Sequence, residues 1–280
     1  MARAFLAVKK MKISIIGLGW LGFPLAQALL ERGHTVCGTT TTPDKLPALQ
    51  AAGIDAHLLR LLPRPEPDSP RQWIDAEVLI VAIPPKASQF GAGFYPQQIA
   101  HLAEAVSASA IKRVIHISST SVYPELNRVM VEDDVITVAQ SAAPALLQAE
   151  RIWRRVSSYQ PHATILRCGG LMGYDRLPGR YVAGKTVDSG ASPVNYIHRD
   201  DAIGLIAAVL ENRLLGTYNL VALQHPTREA VYRISCARHG FALPTFVEPD
   251  APVPFKIIDS QRVIKLSSYD FVYPDPLTFV

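Results

Sequence analysis

Cysteine is scarce in this chain. Cys37, Cys168 and Cys236 lie far apart with no CxxC pair, which excludes a disulfide framework and argues against a cysteine metal centre. The expectation is a reduced, cytoplasmic protein without a metal. No apolar run approaches the ~20 residues that a membrane-spanning helix needs. Residues 1–10 are too short for a secretory signal and carry their charge after the apolar part. Met11 offers a second start, so 1–10 read as a disordered extension. Charge of one sign is not in excess either: 28 Lys and Arg stand against 24 Asp and Glu, a net charge of +4, and the basic residues are scattered. Nucleic acid and anionic membranes are therefore not implied as partners, whereas a small anionic ligand is permitted. What the chain does have is apolar content, 49% over 280 residues, enough for one large domain or one domain with a small lobe.

The densest signal lies at residues 12–22. A β-branched run, Lys12 to Ile16, empties into Gly17, Leu18, Gly19, Trp20, Leu21 and Gly22, and an amphipathic helix pattern follows. GxGxxG between a strand and a helix is a dinucleotide-binding fingerprint. The first glycine makes the tight turn, the second lets backbone approach a pyrophosphate, and the third allows close helix packing. The helix N-terminus then offers N–H groups and a positive dipole end to the phosphates.

Strand and helix patterns continue to alternate. Strands are expected over 12–16, 35–39, 56–61, 78–83, 113–118, 163–167 and 217–221. Helices are expected over 19–32, 43–52, 95–110, 144–159, 200–210 and 227–239, with Pro144 suited to a first helical turn. Four prolines make 62–70 an irregular crossover, and no internal repeat appears. This predicts an α/β protein with a Rossmann-type, doubly wound parallel sheet. Residues 11–170 are expected to form the NAD(P)-binding domain. Residues 171–280 are expected to complete the sheet and build a small C-terminal substrate lobe.

The segment after the second strand bears on cofactor choice. NAD sites usually place Asp or Glu there for the ribose 2′-OH, and NADP sites remove that charge. Here Thr39, Thr40, Thr41 and Thr42 precede Lys45, with no carboxylate at the strand end. Thr39, Thr40 and Lys45 are candidate 2′-phosphate contacts, favouring NADP over NAD, although Asp44 weighs against it. The alternative is that the threonines only cap the next helix.

Residues 118–123 read Ser-Ser-Thr-Ser-Val-Tyr and close an apolar strand. This resembles the SS-x-SVYG motif of the extended short-chain dehydrogenase/reductase family, the NAD-dependent epimerase/dehydratase-like proteins. Residues 78–85 resemble that family's fourth-strand motif, and 166–173 its LRxGGxYG loop. Residues 195–202 resemble its N-x-I-H-x-x-D-x-A segment, and 216–220 its G-x-x-Y-N-V strand. The GLGWLG loop and the Tyr-Pro-Asp-Pro ending are similar to the atypical, YeeZ-type branch. The resemblance implies cofactor contacts from Ala82, Ile83, Pro84, Ser118 and Gly170. It also implies that Ser119 is the catalytic serine holding a reacting oxygen. The family's Tyr-x-x-x-Lys pair is not matched, since Ala142 and Leu146 occupy those places.

A replacement acid or base is sought in the loop over the site, where Tyr174, Tyr181, Tyr196 and His198 lie. Tyr196 and His198 are the catalytic candidates, since only histidine titrates near neutrality unaided. The structural alternative for His198 is ordering the loop before a helix capped by Asp200. Thr120, Tyr174, Arg176, Arg180 and Lys185 are candidate substrate contacts, the cations suiting a carboxylate or phosphate. Glu132, Asp133 and Asp134 read as a solvated loop, and His116 as a satisfied core residue. Two functions remain open. One is an NAD(P)-dependent oxidoreductase or epimerase/dehydratase-like enzyme for a small polar or sugar-derived substrate. The other is a non-catalytic NAD(P)(H)-binding sensor. A homodimer is the family-level expectation.

Overall fold

The computed structural model describes residues 9–66, 72–156 and 162–280. Residues 1–8 of the expected N-terminal extension, 67–70 of the proline-rich crossover and 157–159 of the expected 144–159 helix lie outside them.

The strands are β1 (Lys12–Ile16), β2 (Thr35–Thr40), β3 (Asp55–Leu58), β4 (Val78–Val81), β5 (Arg113–Ser119), β6 (Arg128–Met130), β7 (His162–Cys168), β8 (Gly170–Met172), β9 (Thr186–Val187), β10 (Tyr196–His198), β11 (Gly216–Leu220), β12 (Thr245–Phe246) and β13 (Lys256–Ile258). The helices are α1 (Gly22–Glu31), α2 (Leu46–Ala51), α3 (Ala87–Phe90), α4 (Phe94–Ser107), α5 (Pro144–Val156), α6 (Pro178–Val182), α7 (Arg199–Glu211), α8 (Arg228–His239) and α9 (Gln261–Ser267). Seven strands form one sheet in the order β11-β7-β5-β4-β1-β2-β3. Around β1 the pairing is parallel, with Ile13 opposite both Val36 and Val78. Strands of such a sheet are covered on both faces, so they read as nearly continuous apolar runs. β4 obeys this rule, with all four residues buried. The expected Rossmann-type sheet is present.

The chain divides into two compact units. The first holds residues up to Ser118 with Pro144–Leu166 and Arg213–Gly216. Its core joins Leu79 and Val81 of the sheet to Ile99, Leu102 and Val106 of α4 and Trp153 of α5. The apolar positions of α4 recur at helical spacing, which is why one stripe of it is buried.

The second unit holds Ser119–Ala143, Arg167–Asn212 and Thr217–Val280. Glycine and proline break its sequence pattern, yet it contains three small parallel pairs, β8 with β10, β9 with β12 and β6 with β13. No helix among the described residues is long and apolar enough to cross a membrane.

Candidate functional site

The glycine loop leaves β1 as the fingerprint requires. Gly17 sits at φ +105°, a backbone region that favours glycine, and a Cβ there would lie 2.8 Å from the Ala82 carbonyl oxygen. A Cβ on Gly22 would collide with the Gly17 carbonyl, so α1 packs against the loop at backbone distance. Around Gly19 the space is open, with nothing within 4 Å of a Cβ position. The Gly17 and Leu18 amides donate to the Thr39 carbonyl at 3.3 and 2.8 Å, tying this loop to the end of β2. No side chain caps α1 at Leu21, the arrangement that lets a helix N-terminus receive an anion.

A cavity of about 340 Å³ opens beside this loop. Of the residues expected from sequence to contact a cofactor, Gly17, Leu18, Gly19, Thr39, Thr40, Lys45, Ala82, Ile83 and Pro84 line it. Trp20, Leu21, Gly22, Ser118 and Gly170 do not. Gly22 is packed as described, Ser118 is buried, and Gly170 belongs to β8 in the second unit. The helix-capping alternative for the threonines finds no support. Thr42 occupies the cap of the 3-10 turn Pro43–Lys45 without a side-chain bond, and Thr40 Oγ1 accepts from the Thr42 amide at 3.2 Å. Two further cations, Arg60 and Lys86, line the cavity with Lys45, and among the described residues no carboxylate does. Sequence reading missed both because they follow β3 and β4, away from any recognised motif.

At the end of β5 two adjacent serines differ. Ser118 is buried and donates to Glu150 Oε1 at 2.6 Å. Glu150 comes from α5, is fully buried, and pairs with Arg154 at 3.3 Å. Ser119 is half-exposed and caps the 3-10 turn Thr120–Val122, its Oγ accepting from the Ser121 amide at 3.1 Å. Deeper in β5, His116 is not the fully satisfied core residue expected. Its Nε2 lies 3.5 Å from the Tyr95 hydroxyl, and its Nδ1 has no partner among the described residues. Burial holds this imidazole at about 4, so it is neutral at pH 7.

The loop candidates occupy several separate settings. His198 is buried and itself caps α7, its Nδ1 accepting from the Asp200 amide at 3.2 Å, so the cap is His198 and not Asp200. Its ring centroid lies 3.9 Å from that of Tyr273 with the planes tilted by 45°, and burial lowers its affinity for a proton. Tyr174 is exposed, donates to Asp200 at 2.8 Å and carries the Arg199 guanidinium over its ring. The Asp200 bond pushes the Tyr174 phenol up, and burial pushes Tyr196 up, opposite to the shift a tyrosine base needs. Arg180, Tyr181 and Lys185 are exposed, Arg176 exchanges backbone bonds with Gly173, and Thr120 is buried. None of Thr120, Tyr174, Arg176, Arg180 and Lys185 lines the cavity beside the glycine loop.

Several motif residues turn out to be structural. Tyr123 donates to Asn219 Oδ1 at 2.6 Å, and Arg167 donates to the Tyr123 oxygen at 2.8 Å and to the Glu132 and Val135 carbonyls. The Tyr123, Asn219 and Arg167 side chains are fully buried, and burial pushes the Tyr123 phenol up to about 12. Glu132 completes the network, accepting from the Asn219 amide at 3.0 Å and pairing with Arg262 at 3.3 Å. The expectation of a solvated 132–134 loop is therefore corrected at Glu132, while Asp133 is exposed as expected. Glu132 is buried, Asp133 pairs with Arg262, and Asp134 holds Arg128 at 2.8 Å. Three consecutive acids look solvent-facing in sequence, and only the fold brings arginines to them.

Residues 12–120, which carry the glycine loop and its cavity, match the family model described as NADP oxidoreductase, coenzyme F420-dependent. Protein YeeZ of Escherichia coli K12 is 36% identical over 95% of this chain and 97% of its own length. The chain belongs to the YeeZ family. Its fold is the NAD(P)-binding, epimerase-like one. A 3-diazoavenalumate denitrifying reductase from a Streptomyces species is 26% identical over 87% of this chain and 86% of that one. The UDP-glucuronic acid 4-epimerase of Bacillus cereus, solved with NAD, has the same fold, with a TM-score of 0.76, 21% identity and coverage of 95% and 96%.

Proposed function

We propose that this protein is an NADP(H)-preferring oxidoreductase or epimerase/dehydratase-like enzyme acting on a small polar substrate. The observation that carries the reading is the cavity at Gly17 and Gly19, whose lining among the described residues holds Lys45, Arg60 and Lys86 and no carboxylate. Its volume falls within the roughly 300–1,000 Å³ of ordinary ligand sites. The open space at Gly19 is what a pyrophosphate approaching along backbone requires. Thr40, Lys45 and Arg60 hold the 2′-phosphate by hydrogen bonds and charge, which an NAD ribose would not repay. A nicotinamide cofactor supplies hydride exchange. Residues 11–170 are assigned to cofactor binding and 171–280 to the substrate.

Ser119 is the half-exposed hydroxyl at the end of β5 and orients a substrate oxygen. Ala142 and Leu146 cannot move a proton, so the usual Tyr-x-x-x-Lys pair is absent. The proton passes through another side chain, with His198 and Tyr196 as candidates. The sensor reading is favoured by that missing pair alone. Calorimetric titration with NADP(H) and NAD(H) tests the cofactor claim: NADP(H) binds roughly tenfold or more tightly, and Arg60→Gln and Lys45→Gln erase the difference. Equal or tighter NAD(H) binding overturns the preference.

A further inference from the structure

The second unit contains a cavity of about 180 Å³ bounded by Asn195, Tyr196, Arg228, Tyr232, Lys256 and Glu125 among others. Its two cations come from distant parts of the chain. Arg228 opens α8, and Lys256 opens β13. Asn195 fixes the lysine's strand, its Nδ2 donating to the Lys256 carbonyl at 2.9 Å and its Oδ1 accepting from the Ile258 amide at 2.8 Å. The Lys256 ammonium donates to the Tyr123 carbonyl at 2.6 Å, and Arg228 donates to Ser189 Oγ at 2.8 Å.

Both cations are half-buried, and among the described residues neither has a carboxylate within ion-pair distance. Their bonds run to neutral oxygens. Burying positive charge without an anion is unfavourable, and burial pulls the Lys256 ammonium below its ordinary value. The adjacent Tyr196 phenol, pushed up by burial, stays protonated and able to donate. Among the described residues one exposed acid, Glu125, stands against the two cations, so the lining is short of one negative charge.

We propose that this cavity is a carboxylate-binding subsite for a small organic acid, with Arg228 giving the two-pronged contact, Lys256 the charge and Tyr196 a hydrogen bond. A planar carboxylate matches the guanidinium fork, and one negative charge matches the deficit better than a dianionic phosphate. The volume lies below the roughly 300 Å³ at which pockets for larger ligands begin, so it suits an acid head with a few carbons. The proposal names the substrate class of the function proposed above. It rests on that reading for the claim that the ligand reacts, and not for binding.

The test titrates full-length protein at neutral pH with benzoate and with its neutral counterpart benzamide. Benzoate binds saturably, benzamide roughly tenfold or more weakly, and Arg228→Gln and Lys256→Gln each weaken benzoate by a similar factor. Cofactor affinity stays within about twofold in both variants. Lys256→Gln also removes the bond to Tyr123, so if it does not fold, Arg228→Gln decides. Benzoate binding that matches benzamide or survives Arg228→Gln overturns the proposal. So does tighter binding of inorganic phosphate, or UDP-glucose binding that Arg228→Gln abolishes. Failure of the wild type to bind NAD(P)(H) would sink the proposed function instead, with the benzoate result standing by itself.

Discussion

Ser118 donates its hydroxyl to the Glu150 carboxylate across 2.6 Å, and both side chains are shut away from water. The bond joins the end of β5 to α5, one residue before Ser119. A buried bond to a charged acceptor contributes roughly 1.5–3 kcal/mol, and removing one partner strands the other. Ser118→Ala should therefore lower unfolding stability by about that amount in urea titrations. Combining it with Glu150→Gln should cost less than the sum of the single changes, because the two share one interaction. Additive losses would show that the pair is not coupled.

Gly19 offers a clean test of cofactor binding, because a side chain there meets nothing within 4 Å. Gly19→Val should keep the fold, with an unchanged urea midpoint, and lose cofactor affinity at least roughly tenfold. Gly22→Val should instead unfold or distort the protein, since its Cβ collides with the Gly17 carbonyl. Full cofactor affinity in a folded Gly19→Val variant would remove the pyrophosphate from this loop.

His116 makes stability depend on pH with a definite sign. An unfolded imidazole takes a proton near pH 6.5, whereas the folded one resists until about 4. Between those values the unfolded state binds more protons, so stability falls as the pH is lowered through that window. The loss attributable to this residue is up to about 1.4 kcal/mol per pH unit. Denaturation curves at pH 7 and pH 5 should show a smaller drop for His116→Gln than for the wild type. Parallel drops would contradict the burial argument.

Asp201 of α7 is fully buried and accepts from the Tyr269 hydroxyl and from the Val272 and Tyr273 amides, at 2.9, 2.8 and 2.9 Å. Asp201→Ala strands two backbone donors and a phenol, a loss of roughly 3 kcal/mol or more. Limited proteolysis should then cut within 269–280 sooner than in the wild type. An unchanged cleavage rate would show that the C-terminal segment is held by other contacts.

Much of this was legible because it depends on near neighbours in the chain. The run from Lys12 into Gly17 declares a strand, a turn and a helix within a dozen residues, and the observed β1 and α1 follow it. Pro144 opens α5 as its position predicts. What the sequence hid depends on distant pairing. Glu132 looks like one of three solvent-facing acids until Arg262 and the Asn219 amide reach it. Lys256 enters β13 only because that short strand pairs with Arg128 to Met130. Arg60 carries no motif, and only the close of β3 brings it to the same cavity as Thr40 and Lys45.

The Thr39 carbonyl accepts from both Gly17 and Leu18 amides. One backbone oxygen thus spans the two segments proposed above to hold opposite ends of the adenosine half of the cofactor. Shifting the β2 terminus to suit a different ribose drags the glycine turn with it. Reversing the proposed NADP preference is therefore not a matter of swapping side chains at 40 and 45 alone. Unless the backbone around Thr39 stays still, altered discrimination arrives together with weakened grip on the phosphates that every such cofactor shares.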